Sequence, residues 1–265
     1  MDVLKKIINV KNKRIAEAKQ AAPPEEVQAQ ALAVRSSARP HRFWEALSDA
    51  AAVNIIAEIK RASPSKGLIR DGIAPADLAR SYEAAGASAI SVLTETDNFQ
   101  GSLCDLTAAR SAVSIPLLRK DFIVEEYQVY ESAGAGADAI LLIVAALDDV
   151  TLAGLRRLAE QQLEMDALVE VHTAHEFQRA IDSGARLIGV NNRDLRTLAV
   201  SLQTSIELAQ GAPDDILRIS ESGIESADDI RRLRRRGYRG FLIGETLMRA
   251  PDPGKALEAL IKNSN

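Results

Sequence analysis

Gly134-Ala135-Gly136-Ala137-Asp138-Ala139-Ile140 closes one element and opens the next within a few residues. Its glycines offer the left-handed backbone that ends a helix, and the aliphatic run that follows reads as a strand entered without a linker. The phrase recurs as Ala85-Gly86-Ala87-Ser88-Ala89-Ile90, as Ser183-Gly184-Ala185-Arg186-Leu187-Ile188 and as Arg236-Gly237-Tyr238-Arg239-Gly240-Phe241. Outward from these joints, eight short apolar runs stand out, at 54–60, 89–95, 116–121, 139–145, 167–172, 187–191, 217–221 and 240–244. Their starts lie about 27 residues apart, the length of one strand plus one helix, and the stretches between them carry helical spacing such as Leu78, Tyr82 and Ala85. This predicts an α/β chain folded as a (β/α)8 TIM barrel. An open doubly wound sheet would usually show a Gly-x-Gly-x-x-Gly turn after its first strand, and none follows Lys60.

The first strand begins only at Asn54, which leaves residues 1–53 as an N-terminal helical extension. Val3 to Ala18 is amphipathic, Pro23-Pro24-Glu25-Glu26 starts a second helix, and Phe43 to Leu47 forms a short third. Such a segment could plug the bottom of a barrel, cover its top or contact a partner. No glycine-serine linker interrupts the chain, so residues 1–265 are expected to form a single domain.

Hydrophobic residues at 46% and charged residues at 26% exclude a disordered or collagen-like chain. A formal charge of -4 leaves no field to hold a polyphosphate backbone, so no nucleic acid partner is expected. The run Arg231, Arg232, Arg234, Arg235 and Arg236 reads as the solvated face of a helix whose Ile230 and Leu233 turn inward. Cys104 is the single cysteine, which rules out an intrachain disulfide, and it falls in the helical pattern Leu103, Leu106, Ala109 as a small packed residue. The start Met1-Asp2-Val3-Leu4-Lys5-Lys6 lacks a signal-peptide core, and the apolar run 139–147 is far short of a bilayer span of roughly 20 residues. A cytoplasmic protein without a membrane anchor is expected, as a monomer or weak homo-oligomer.

Alternation along a strand turns Ile56, Glu58 and Lys60 into the barrel and Ile55, Ala57 and Ile59 toward the helices. By the same rule Lys120 follows Leu118 inward on the third strand, Glu170 follows Leu168 on the fifth, and Glu221 follows Ile219 on the seventh. These five ionisable groups sit near strand C-termini, where barrel active sites form, and on alternate strands, which fill a common layer. A structural ion network is the plain alternative. Burying five charges for stability alone is a poor exchange, because desolvation cancels much of the pairing energy.

The loops after strands seven and eight, Glu221-Ser222-Gly223-Ile224 and Ile243-Gly244-Glu245-Thr246, occupy the fold's usual phosphate position, and their glycines admit close backbone approach. Glu245 is awkward there, since its carboxylate must point away from an anion. The basic loop Arg61-Ala62-Ser63-Pro64-Ser65-Lys66-Gly67-Leu68-Ile69-Arg70 has the length of a lid or ligand clamp. Glu170, His172 and His175 do not amount to a metal site, because His175 falls in the next turn and no second ligand cluster supports it.

The stretch Ile56-Ala57-Glu58-Ile59-Lys60-Arg61-Ala62-Ser63-Pro64-Ser65-Lys66-Gly67 closely resembles the signature of the indole-3-glycerol phosphate synthase family. Leu118-Arg119-Lys120-Asp121-Phe122-Ile123, Leu168-Val169-Glu170-Val171, Gly189-Val190-Asn191-Asn192-Arg193-Asp194-Leu195, Ser220-Glu221-Ser222-Gly223-Ile224 and Phe241-Leu242-Ile243-Gly244 are similar to its later motifs, in order. The resemblance implies a small sugar-phosphate substrate, an anthranilate joined to deoxyribulose 5-phosphate, closed to an indole with loss of carbon dioxide and water. It implies no cofactor and no metal. Lys120 would be the general acid, Lys60 would hold the anthranilate carboxylate and donate a later proton, and Glu58 would be its partner and a candidate base. Glu170 would act as base or stabilise a cationic intermediate, with Asn191 and Glu221 orienting sugar hydroxyls. Phosphate would fall to Ser63, Gly223, Gly244 and the backbone of Glu245, a position where some members carry serine. Phe99, Phe122 and Leu141 would pack on the ring, with Arg193 and Ser222 also touching substrate. A phosphoribosylanthranilate isomerase would need a cysteine at a strand end, where Cys104 does not lie. A non-catalytic sugar-phosphate sensor would not need both lysines and all three inward glutamates.

Overall fold

The computed structural model describes residues 3–72, 74–194, 197–210, 213 and 215–264. Leu195 of the motif above and the first two residues of the N-terminal reading lie outside the described residues. Eight parallel strands close into a barrel: β1 Asn54–Ile59, β2 Ala89–Leu93, β3 Leu117–Lys120, β4 Ala139–Ile143, β5 Asp166–Val171, β6 Leu187–Asn191, β7 Leu217–Glu221 and β8 Gly240–Ile243. Each pairs with its neighbours in chain order, and β1 closes on β8 with Asn54 opposite Gly240. The joint glycines behave alike: Gly86, Gly136, Gly184 and Gly237 have φ between 84° and 90°. Behind each, the next amide reaches back into the helix, as Ala87 N does to the Tyr82 carbonyl at 3.0 Å and Ala185 N to that of Ala180 at 3.1 Å. This bond closes the helix and points the chain at the sheet.

Alternation sorts the strand residues into two cores. Ile55, Ala57 and Ile59 pack outward under the helices, while Ile56, Leu118, Leu168, Ile219 and Leu242 fill the interior. The extension supplies α1 Val3–Ala21, α2 Pro24–Arg35 and α3 Arg42–Leu47, and it does two of the things its sequence allowed. Phe43 and Leu47 of α3, both fully buried, plug the bottom, and α3 is tied there by Trp44 N donating to Asp166 Oδ2 at 2.9 Å. At the other end α1 crosses the mouth, held by a buried ion pair of 2.6 Å between Lys11 and Asp121.

The remaining α-helices among the described residues are α4 Pro75–Ala84, α5 Leu103–Ala112, α6 Glu126–Gly134, α7 Asp149–Arg157, α8 Ala174–Asp182, α9 Gln203–Leu208, α10 Ala227–Arg234, α11 Glu245–Arg249 and α12 Pro253–Ser264. On α10, Ile230 and Leu233 are fully buried beneath the arginine-rich outer face, as its spacing predicts. One local expectation fails. Cys104 is exposed on α5 while Leu106 and Ala109 are buried, because successive helical residues point about 100° apart and only the latter two share the inward stripe.

Candidate active site

A cavity of about 1020 Å³ opens at the C-terminal ends of the strands. Its wall carries Glu58, Lys60, Ser63, Phe99, Lys120, Phe122, Leu141, Glu170, Asn191, Arg193, Glu221, Ser222, Gly223, Gly244 and Glu245, so the structure brings the residues that the resemblance assigns to the site into one space. Leu4 and Ile7 of α1 complete the wall. No single-strand pattern pointed to those two.

Lys120 stands between two carboxylates, with Nζ 3.0 Å from Glu170 Oε2 and 2.8 Å from Glu221 Oε2. Burial works against its charge, but Glu170, Glu221 and Glu58 overcome that and raise its pKa well above the ordinary lysine value. Burial also favours neutral carboxyls, and the two glutamates answer differently. Glu170 is held below the usual range by Lys120 and His172, whereas Glu221, which also feels the charges of Glu170 and Glu58, is pushed above it. Two carboxylates sharing one cation therefore divide into a firmly ionised member and one readier to hold a proton. Across the mouth, Lys60 pairs with Glu58 at 2.7 Å.

The aromatic side of the cavity is built by backbone-holding carboxylates. Glu95, at the exit of β2, accepts from the amides of Asn98 at 2.7 Å and Phe99 at 3.1 Å, and so shapes the loop that presents Phe99. Asp121 Oδ1 likewise accepts from Phe122 N at 2.8 Å. The basic first loop is a small hairpin of Ala62–Ser63 against Gly67–Leu68, with Arg61 clamped on Asp105 at one end and Arg70 donating to the Ala250 carbonyl at 2.9 Å at the other.

In the loop after β7, Ser222 and Gly223 both have positive φ, 67° and 77°; the glycine adopts it freely, whereas for the serine it is a strained backbone of the kind found at ligand sites. Gly244 serves a purpose its sequence did not reveal. A Cβ there would lie 2.2 Å from Glu58 Oε1, so the missing side chain makes room for the glutamate. Glu245 turns toward cations: Arg193 at 3.5 Å, Arg249 at 3.5 Å and Lys66 at 3.8 Å. Among the described residues no cluster of histidine, cysteine or carboxylate side chains is placed to hold a metal ion. His175 is exposed.

Residues 4–260 match the family model of indole-3-glycerol phosphate synthase. The chain belongs to that family. Indole-3-glycerol phosphate synthases of Carboxydothermus hydrogenoformans and Albidiferax ferrireducens are 47% and 45% identical to it, over 97% and 98% of this chain and 99% and 98% of theirs. The enzyme of Micrococcus luteus is 51% identical over 80% of this chain and 79% of its own. More distant solved barrels share the fold alone: KGPDC from Streptococcus mutans has a TM-score of 0.59 at 16% identity, covering 80% of this chain and 97% of that one. Thiamine phosphate pyrophosphorylase from Pyrococcus furiosus has a TM-score of 0.58 at 16% identity, covering 80% and 95%. As an indole-3-glycerol phosphate synthase the chain is a decarboxylating lyase of tryptophan biosynthesis, acting on a small phosphorylated substrate. Among its described residues no helix is long and apolar enough to cross a membrane.

Proposed function

We propose that the cavity closes 1-(2-carboxyphenylamino)-1-deoxyribulose 5-phosphate to indole-3-glycerol phosphate, with Lys120 as first proton donor, Lys60 as carboxylate holder and second donor, and Glu170 as the anion that steadies the cationic ring. The observation that carries this reading is the Lys120 ammonium between Glu170 and Glu221. An ammonium has three N–H donors, and two are spent on carboxylates, which leaves one for the substrate carbonyl.

As the carboxyl-bearing ring carbon attacks the carbonyl carbon, the Lys120 proton passes to the carbonyl oxygen and the ring nitrogen becomes cationic. Positive charge thus leaves Nζ and reappears on the substrate within reach of Glu170, so the buried carboxylate exchanges one cation for another and is never left unpaired. Loss of carbon dioxide returns the electron pair to the ring. Lys60 then protonates the new hydroxyl, which departs as water, and a carboxylate, Glu58 or Glu170, takes the proton from the adjacent carbon. Asn191 and Glu221 orient sugar hydroxyls, Phe99, Phe122 and Leu141 pack on the ring, and Arg193 and Ser222 line the sugar. Ser63, Gly223, Gly244 and the Glu245 backbone receive phosphate. With this reading go a cytoplasmic location, no nucleic acid partner, and a monomer or weak homo-oligomer.

Indole fluorescence followed after adding that substrate to purified, metal-free protein tests the reading directly. A rising signal is expected; a flat trace from folded protein sinks it.

A further inference from the structure

Behind Glu170, on the side away from Lys120, stands a residue that the reaction scheme leaves unused. His172 Nε2 lies 3.4 Å from Glu170 Oε1, and its Nδ1 lies 3.2 Å from Glu176 Oε2 in the first turn of α8. The same Glu176 oxygen accepts the His172 amide at 2.7 Å, which fixes the ring beside it. Nε2 is buried and has no hydrogen-bond partner of its own, so its electrostatic fate depends on Glu170. A neutral imidazole donates from one nitrogen only and would turn a lone pair on one of the two carboxylates. An imidazolium satisfies both.

We propose that His172, as an imidazolium braced by Glu176, is a positioning residue that keeps Glu170 ionised and holds its Oε1 edge so that Oε2 stays on Lys120. The inference rests on the role given to Glu170 above. Among the described residues the charged groups facing the ring are Glu170 on β5, Glu176 on α8 and Glu221 on β7; Lys120 of β3 lies beyond Glu170, and Arg179 of α8 is turned to Asp149 of α7. Burial lowers the pKa of His172, but the bond to Glu176 and the surrounding carboxylate charges outweigh it and raise it from the ordinary histidine value. The working form is therefore present below the raised value and is lost as pH rises through it.

The test is the single-turnover rate of indole formation against pH, with the His172 ring titrated by nitrogen NMR in the intact chain. The parent is expected to lose rate on the alkaline side in step with the ring. His172→Gln should be slower by about tenfold, keep its KM within about threefold and lack that limb, since an amide can donate to Glu170 but does not titrate. Glu176→Gln, which touches no substrate, should shift the limb to lower pH by about one unit, because one of the bracing charges is gone. A ring that titrates at or below the ordinary histidine value overturns the proposal, as does a parental rate and limb in both variants. Should His172→Gln not fold, Glu176→Gln and the ring titration decide. Failure of the parent to form indole would strike the proposed function itself, whereas an active parent with indifferent variants would strike only His172.

Discussion

Lys120, Glu170, Gly244 and Glu245 can each be separated by one substitution. Lys120→Met keeps length and loses the proton, so the turnover number should fall by at least about a hundredfold, while binding through the phosphate survives. Turnover within a few-fold of the parent would remove Lys120 from the acid role. Glu170→Gln keeps shape without charge, and a loss of roughly ten- to a thousandfold in turnover with a smaller change in affinity is expected. Mass analysis of the quenched reaction then tells whether substrate or a ring-closed species persists. At Gly244 close packing couples turnover to affinity: Gly244→Ala drives a Cβ into Glu58, whose own Cβ would be 3.1 Å away, so kcat should drop together with any rise in KM. A change in KM alone would mean that Glu58 moves aside without consequence. Glu245→Ser releases partly exposed cations toward the phosphate, and such pairs contribute little individually. The inhibition constant of inorganic phosphate should stay within a few-fold or improve; a large loss would give the carboxylate a binding role.

At the level of the element, α1 is attached to the rim by charge. Lys11 meets Asp121, which also pairs with Arg119 at 3.2 Å and accepts from Thr94 Oγ1 at 2.6 Å. Burial would raise the Asp121 pKa, yet Arg119 and Lys11 hold it below the usual aspartate range. A depressed carboxyl contributes stability that is complete above the ordinary value of about 3.9 and fades as pH falls through the lowered one. Lys11→Met lets Asp121 drift back toward its ordinary value, so acid unfolding should begin at higher pH, with a cost near neutrality of about 1–3 kcal/mol. Protease cleavage within residues 3–35 should also quicken as α1 loosens from the mouth. Unchanged acid unfolding and unchanged cleavage would mean that α1 is held by its apolar contacts alone.

For the molecule as a whole, α3 closes the barrel from below. Phe43 and Leu47 share an interior cluster with Ala89, Ala139, Leu187 and Leu217, the first inward residues of their strands. Phe43→Ala would open a hole at the base of every strand it touches, at a cost of about 3–5 kcal/mol. A fall in Tm of about 10 °C follows for a chain of this size. Activity measured well below that temperature should persist, because the chemistry is at the other end of the strands. A large loss of turnover in the folded variant would show that the two ends are coupled.

The barrel, its eight strands and the inward facing of Glu58, Lys60, Lys120, Glu170 and Glu221 were determined by the sequence, because they follow from local rules: a period of two within a strand, a glycine at a helix end, a repeat of one strand and one helix. The motifs also carried the family, and the geometry then placed all their cavity residues on one wall. Contacts between residues distant in the chain were left to the tertiary structure. Periodicity showed that α1 and α3 exist, but only the Lys11–Asp121 pair and the Phe43 plug assign one to the mouth and the other to the floor. Gly244 reads as a turn or a ligand approach until Glu58 is seen against it. His172 shares Glu170's strand face in the sequence, yet its purpose depends on Glu176 arriving from α8 with the right oxygen. A local pattern fixes which way a side chain points; what it meets there is set by the closure of the barrel around it.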